Sequence, residues 1–233
     1  MRYPLTCMLA AAALTLPSAA LAQGKGKSPS AWQDQFDLKS CNLQSTGKNE
    51  YFILEPGWQL QLKSDDATLH ITVLAETRVL DGVTTRVVEE REWKGKDLHE
   101  VARNYFAICD ETKDVFYFGE DVQFYENGKP TKTDGSWLAG VNGNKAGLMM
   151  PGTPRLKQRY YQELAPGVAM DRAEIVSMTE TCKTPAGIFK RCLKVKETSA
   201  IETSLSEYKY YAPGIGLVRD AELVLVKYGP VER

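Results

Sequence analysis

From residue 51 onward the chain consists of strand-length runs broken by turn dipeptides, and this confines the fold more than any other feature. ATLHITVLAETRVL (67–80) meets VTTRVVEEREW (83–93) across Asp81-Gly82, a two-residue hairpin signature. Asn127-Gly128 repeats the signal after DVFYFGEDVQFY, and Pro166-Gly167, Ala186-Gly187 and Pro213-Gly214 separate the later runs. Parallel strands need crossovers of a dozen or more residues, so these short connections predict an antiparallel meander. The expected fold class is mainly all-β, one sheet curved into a half-barrel, barrel or sandwich, with few short helices. LHEVARNYFAIC (98–109) is ambiguous. Its Leu98, Val101, Tyr105 and Ile108 fit helical spacing, while its place between two strand regions favours a strand. The stretch 138–155, with four glycines and two prolines, reads as a long loop suited to binding.

The N-terminus reads as an export signal. Arg2, the apolar run LTCMLAAAALTL and Ala20-Leu21-Ala22 form a signal peptide over 1–22, cleaved to leave Gln23 first. Secreted or periplasmic residence follows. Residues 23–48 are expected as a flexible arm and 49–233 as a single β-rich domain. The whole chain has 29 basic and 30 acidic residues, and losing Arg2 leaves a net charge near −2. So even a balance offers no nucleic-acid footprint, and no later run is apolar enough to cross a membrane. Four cysteines remain in the mature chain, an even number, which reads as two disulfides with three possible connectivities. Cys182 and Cys192 flank the TPAGIF turn and can face each other, leaving Cys41 for Cys109. A zinc site is the rival reading, but no C-x-x-C occurs.

Chemistry-bearing residues are sparse. In YFGEDVQFYENGK an unbroken strand puts Glu120 on one face with Phe116, Phe118 and Phe124, whereas a bulge at Gly119 flips the register and sends Glu120 to water. Glu120, with Asp121 or Glu163, is the only candidate acid pair for hydrolysis. Glu163 shares its strand face with Arg159, which favours a cross-strand ion pair, and Asp171 and Glu174 are expected in solvent. A Ser-His-Asp arrangement would need His70 or His99, and strand alternation explains His70 without a catalytic role. Met149-Met150 and the Asn142-Gly143-Asn144 turn lack the register of copper or calcium ligands, so no metal or cofactor is called for. Tyr117, Trp137, Tyr161, Tyr208 and Tyr210 are candidate ligand-binding aromatics, and they serve equally well as core.

The ordered series FGEDVQFYENGK, GSWLAGVNG, GLMMPGTP, YYQELAPGVAMDRAE, TPAGIFKRCLKVKET and YKYYAPGIGLV, over about residues 113 to 219, resembles a widespread group of uncharacterised secreted bacterial proteins. Its last two motifs also look like those of periplasmic half-barrel proteins of the lipoprotein-carrier kind. The resemblance implies a curved β-sheet and an envelope setting, and carries no biochemical activity. In that group the hairpin around PAG-F commonly lacks cysteines, so the pair here is an addition. The favoured expectation is non-enzymatic binding of an apolar or other small ligand, or of an envelope component, on the curved sheet. The alternatives are a hydrolase acting on an envelope polymer or polysaccharide, and a structural module using the 138–155 loop.

Overall fold

The computed structural model describes residues 31–231; the expected signal peptide and residues 23–30 lie outside the described residues. The chain is nearly all β. In chain order the strands are β1 Leu43–Gln44, β2 Gly47–Asn49, β3 Phe52–Leu54, β4 Trp58–Lys63, β5 Ala67–Leu80 and β6 Val83–Lys94. There follow β7 Asp97–Cys109, β8 Val115–Glu126, β9 Lys129–Pro130, β10 Trp137–Leu138, β11 Lys145–Met150 and β12 Arg159–Tyr161. The last six are β13 Glu163–Leu164, β14 Asp171–Thr184, β15 Gly187–Ser199, β16 Ser206–Ala212, β17 Gly216–Asp220 and β18 Leu223–Pro230.

One antiparallel sheet runs in the order β12-β14-β15-β16-β17-β18-β4-β5-β6-β7-β8-β11-β13. Its two end strands, β12 and β13, are separated in sequence only by Gln162, so the chain itself draws the ends together into a nearly closed barrel. The hairpins form where the turn chemistry places them. Asp81 (φ 47°) and Gly82 (φ 77°) join β5 to β6, and Asn127 (φ 52°) with Gly128 (φ 73°) joins β8 to β9. Two successive positive φ values match the right-handed twist of the flanking strands. Residues 97–109 are a strand, paired along most of their length to β6 and β8. The two ladders satisfy backbone groups that a lone helix would have to satisfy internally.

The 138–155 stretch is only partly a loop. Residues 145–150 form β11, held between β8 and β13. The glycines that suggested a loop serve close packing there: a Cβ on Gly147 would lie 2.2 Å from the Gln162 carbonyl oxygen. The segment from residue 31 is likewise held. Gln33 bridges to Tyr160, β1 pairs with β7, and Cys41 is bonded to Cys109. Phe36 meets Phe116 edge-on at 6.0 Å. Arg86, buried, donates to the carbonyls of Ser45 at 2.9 Å and Ala75 at 2.6 Å, tying the arm to the register shift in β5. Then the β2–β3 hairpin places Phe52 against Phe106 at 5.0 Å, at one end of the barrel interior.

The second expected disulfide is not formed. Bulges in the β14–β15 ladder pair Glu180 with Cys192 and Cys182 with Phe189, so the two cysteines are not direct cross-strand partners. They stand as two buried thiols, with the Cys192 thiol directed at the Phe189 carbonyl oxygen at 3.5 Å.

Candidate functional site

The interior is built from the residues that a simple apolar-in rule would send to water. In SEYKYYA, Tyr208 and Tyr210 lie outside, with Lys194 over their rings at 4.2 and 5.4 Å. Lys209 and Tyr211 therefore face inward. On β15, Lys194 is outside, so Val195 and Glu197 turn in beside Lys209, which pairs with Val195 in the ladder. On β7 the inward set is Glu100, Ala102, Asn104 and Phe106, and on β6 it is Val88 and Glu90.

Glu120 reaches the same space through Gly119. The β7–β8 register shifts between Asn104 and Phe106, so that Phe106 pairs with Tyr117 and Asn104 with Glu120. One extra residue on β8 makes this a bulge. Gly119 sits at φ 130°, and a Cβ there would lie 2.2 Å from the Trp137 carbonyl oxygen. The bulge exists, but its effect is opposite to the expected one. It leaves Phe118 packed on the outer side with Phe36 and Leu43 and turns Glu120 into the interior beside Tyr117.

The interior holds two connected lobes that share Glu90, Phe106, Met149 and Lys209. The smaller, about 80 Å³, is apolar and walled by Phe52, Trp58, Leu60, Ile71, Val73 and Leu217. The larger, about 400 Å³, carries Glu90, Glu100, Glu120, Glu163, Asp171 and Glu197. Lys209 is the one cationic side chain lining either lobe among the described residues. Its Nζ lies 3.0 Å from Glu197, 3.6 Å from Asp220 and 3.7 Å from Glu207. Burial alone would depress the ammonium, yet Glu197 and Asp220 hold it well above its ordinary value. Gln162 donates to the other Glu197 oxygen at 2.9 Å.

The remaining acids have no such counter-ion. Burial pushes Glu90 up to about 7 against the pull of Lys209, and pushes Glu120 to about 7 against the contact with Tyr117. Glu163 is raised well above the carboxylate range, first by burial and then by Glu120. Burial raises Asp171 and Glu100 as well. The Tyr117 hydroxyl donates to Asn104 Oδ1 at 2.6 Å, which frees its oxygen to accept from a protonated Glu120. At neutral pH this is a set of carboxyl groups sharing protons, able to exchange them for a bound cation or to hydrogen-bond a neutral polar group.

Of the sequence candidates, Glu120, Glu163 and Tyr117 come together in the larger lobe. Trp137 is buried beside them, its ring 5.4 Å from that of Tyr117. Asp121 does not join: it lies outside, bound by Arg78 at 2.6 Å and by the Tyr105 hydroxyl at 2.6 Å. Tyr161 packs edge-on against Trp32 at 6.3 Å, and Tyr208 and Tyr210 belong to the outer Lys194 stack. Arg159 pairs with Glu174 at 2.9 Å rather than with Glu163, because Gln162 carries the chain from one end strand to the other between them. Asp171, expected in solvent, lines the cavity. His70 packs on Trp93 and His99 contacts Lys94 and Phe124, away from both lobes. Sequence reading missed Glu90, Glu100, Glu197 and Lys209. The available signal was the alternation K-V-K-E in β15, which puts a charged residue on both faces.

No protein family matches the chain, and neither the curated proteins nor the solved structures yield a match. The site therefore rests on its own geometry. No described helix is long and apolar enough to cross a membrane.

Proposed function

We propose that this chain is a non-enzymatic binding protein that holds a small amphiphilic ligand inside its barrel, in the secreted or periplasmic setting that its N-terminus predicts. The observation that carries this reading is the junction of an apolar lobe with a polar lobe in one interior. Ligand pockets combine apolar walls with a few convergent polar groups, and this cavity has both in separate places. The apolar lobe, about 80 Å³, has room for a short alkyl or aromatic group rather than a long acyl chain. Displacement of an environment-sensitive dye by short-chain amphiphiles tests the reading. Leu60→Trp, which fills the apolar lobe, is expected to weaken binding at least tenfold while the circular dichroism spectrum is retained. Unchanged affinity in that variant counts against it.

A second reading is favoured by one observation: Glu120 and Glu163 both open onto the larger lobe, and burial raises both. A buried carboxyl pair of that kind suits acid-assisted hydrolysis of a glycosidic bond. Turnover of an envelope polysaccharide, abolished by Glu163→Gln, supports this alternative; turnover that persists in that variant removes it.

A further inference from the structure

Resting on the reading of the interior as a ligand site, we infer that the ligand is an organic amine, bound as its ammonium ion, with a short apolar substituent.

Three independent features of the larger lobe point to a cation. Glu163 is 9 % exposed, opens onto the lobe and has no cationic partner among the described residues. The Trp137 indole N–H approaches it without completing a hydrogen bond and carries no charge. A buried carboxyl group is thus left on the cavity wall without a charged partner. Buried ionised groups in proteins are paired, so a cation entering the lobe would supply what the fold does not. The only interior ammonium among the described residues, Lys209, is already held by Glu197, Glu207 and Asp220 and has no capacity to serve Glu163 as well. Finally, Phe106 and Tyr117 stack at 4.6 Å and both line the lobe, adding aromatic surface to the carboxylates. Aromatic rings with carboxylates are the combination that receives ammonium groups, since the ring quadrupole and the anion act in the same sense.

The same geometry argues for an organic cation over a metal ion. The only trio of potential ligand atoms within 4.8 Å of one another among the described residues is Cys41, Cys109 and Glu111, where the sulfurs are in a disulfide. The interior acids are spread around the wall, which suits a diffuse ammonium head better than a small ion demanding six to eight oxygens. The apolar lobe next door takes the substituent. Val168 (45 % exposed) and Ile201 (49 % exposed), on the rim of the larger lobe, give an amphiphile an apolar path inward.

Isothermal titration of the full mature chain at pH 7.5 with butylamine, butanol, butyrate and calcium tests the inference. Butylammonium is expected to bind at least tenfold more tightly than butanol, with butyrate weakest. Glu163→Gln should weaken butylammonium tenfold or more and leave butanol unchanged. Glu120→Gln serves the same purpose if the first variant does not fold. Butyrate or butanol binding as tightly as the amine, or saturable calcium binding without amine binding, overturns the inference and leaves the cavity reading standing. If none of the three amphiphiles binds, the cavity reading falls with it.

Discussion

Gly119 and the carboxyl groups around it set testable limits at the level of single residues. Any side chain at Gly119 meets the Trp137 carbonyl and Leu138 Cα at 2.2 and 2.8 Å, in a backbone conformation that only glycine adopts easily. Gly119→Ala is expected to lose more than about 2 kcal/mol in urea denaturation, with backbone shift rather than cavity formation as the cause. Glu90 and Glu120 titrate at about 7 in the folded chain, against a model-peptide value near 4.5. The folded state then binds more protons than the unfolded one between those values, so stability falls as pH rises from about 4.5 through 7. Each group alone accounts for at most about 3 kcal/mol over that range. Denaturation midpoints at pH 5 and pH 8 should differ in that direction, and the double variant E90Q/E120Q should flatten the difference. Greater stability at pH 8 would show that these acids are ionised and paired. Buried Arg86, with four backbone carbonyls in reach, is a structural cation: Arg86→Met strands those acceptors and should cost about 2 kcal/mol or more by the same assay.

At the scale of elements, strands β15 and β16 show what sequence patterning could and could not reveal. Their strand character and their turns were legible, because Gly187, the Asp81-Gly82 pair and the Asn127-Gly128 pair fix hairpins locally. Which face turned inward was not legible. Alternation supplies two faces, and the usual assignment puts Tyr208 and Tyr210 in and Lys209 out. The fold does the reverse, because Lys209 meets three carboxylates inside while the tyrosines cover Lys194 outside. Glu120 illustrates the same limit: Gly119 announced the bulge, but only the position of β10 and β7 decides which way the residues after it point. Lys209→Met tests the assignment. It should destabilise the chain by about 3 kcal/mol at pH 8, since it leaves buried carboxylates without their counter-ion. The loss should shrink at pH 5, where protonation relieves them. An exposed lysine at that position would show no such pH dependence. The 145–150 strand escaped notice because glycines needed for close backbone approach look, in sequence, like glycines needed for turns.

Across the whole molecule, the antiparallel meander and its curvature followed from short connections, while the cavity did not, because it depends on residues from β6, β7, β8, β13, β14, β15 and β16 meeting only after closure. The Cys41–Cys109 bridge acts at this scale too. It spans 68 residues and joins the arm to β7. Reducing it, or replacing both cysteines by serine, should lower stability by about 4 kcal/mol on the loop-entropy account and free the arm for proteolysis before the barrel unfolds. Simultaneous loss of both would show that the arm is integral to the barrel. The near-closure at Gln162 has its own consequence. With β12 and β13 joined by one residue, the two ends of the sheet are tethered side by side, although among the described residues β14 beyond Ile175 pairs only with β15. A circularly permuted chain with new termini between residues 161 and 163 releases that tether, and sheet edges free to part recruit strands from neighbouring copies. That permutant should self-associate more than the natural connectivity in sedimentation, and an unchanged mass distribution would show that packing, rather than one glutamine, keeps the ends together.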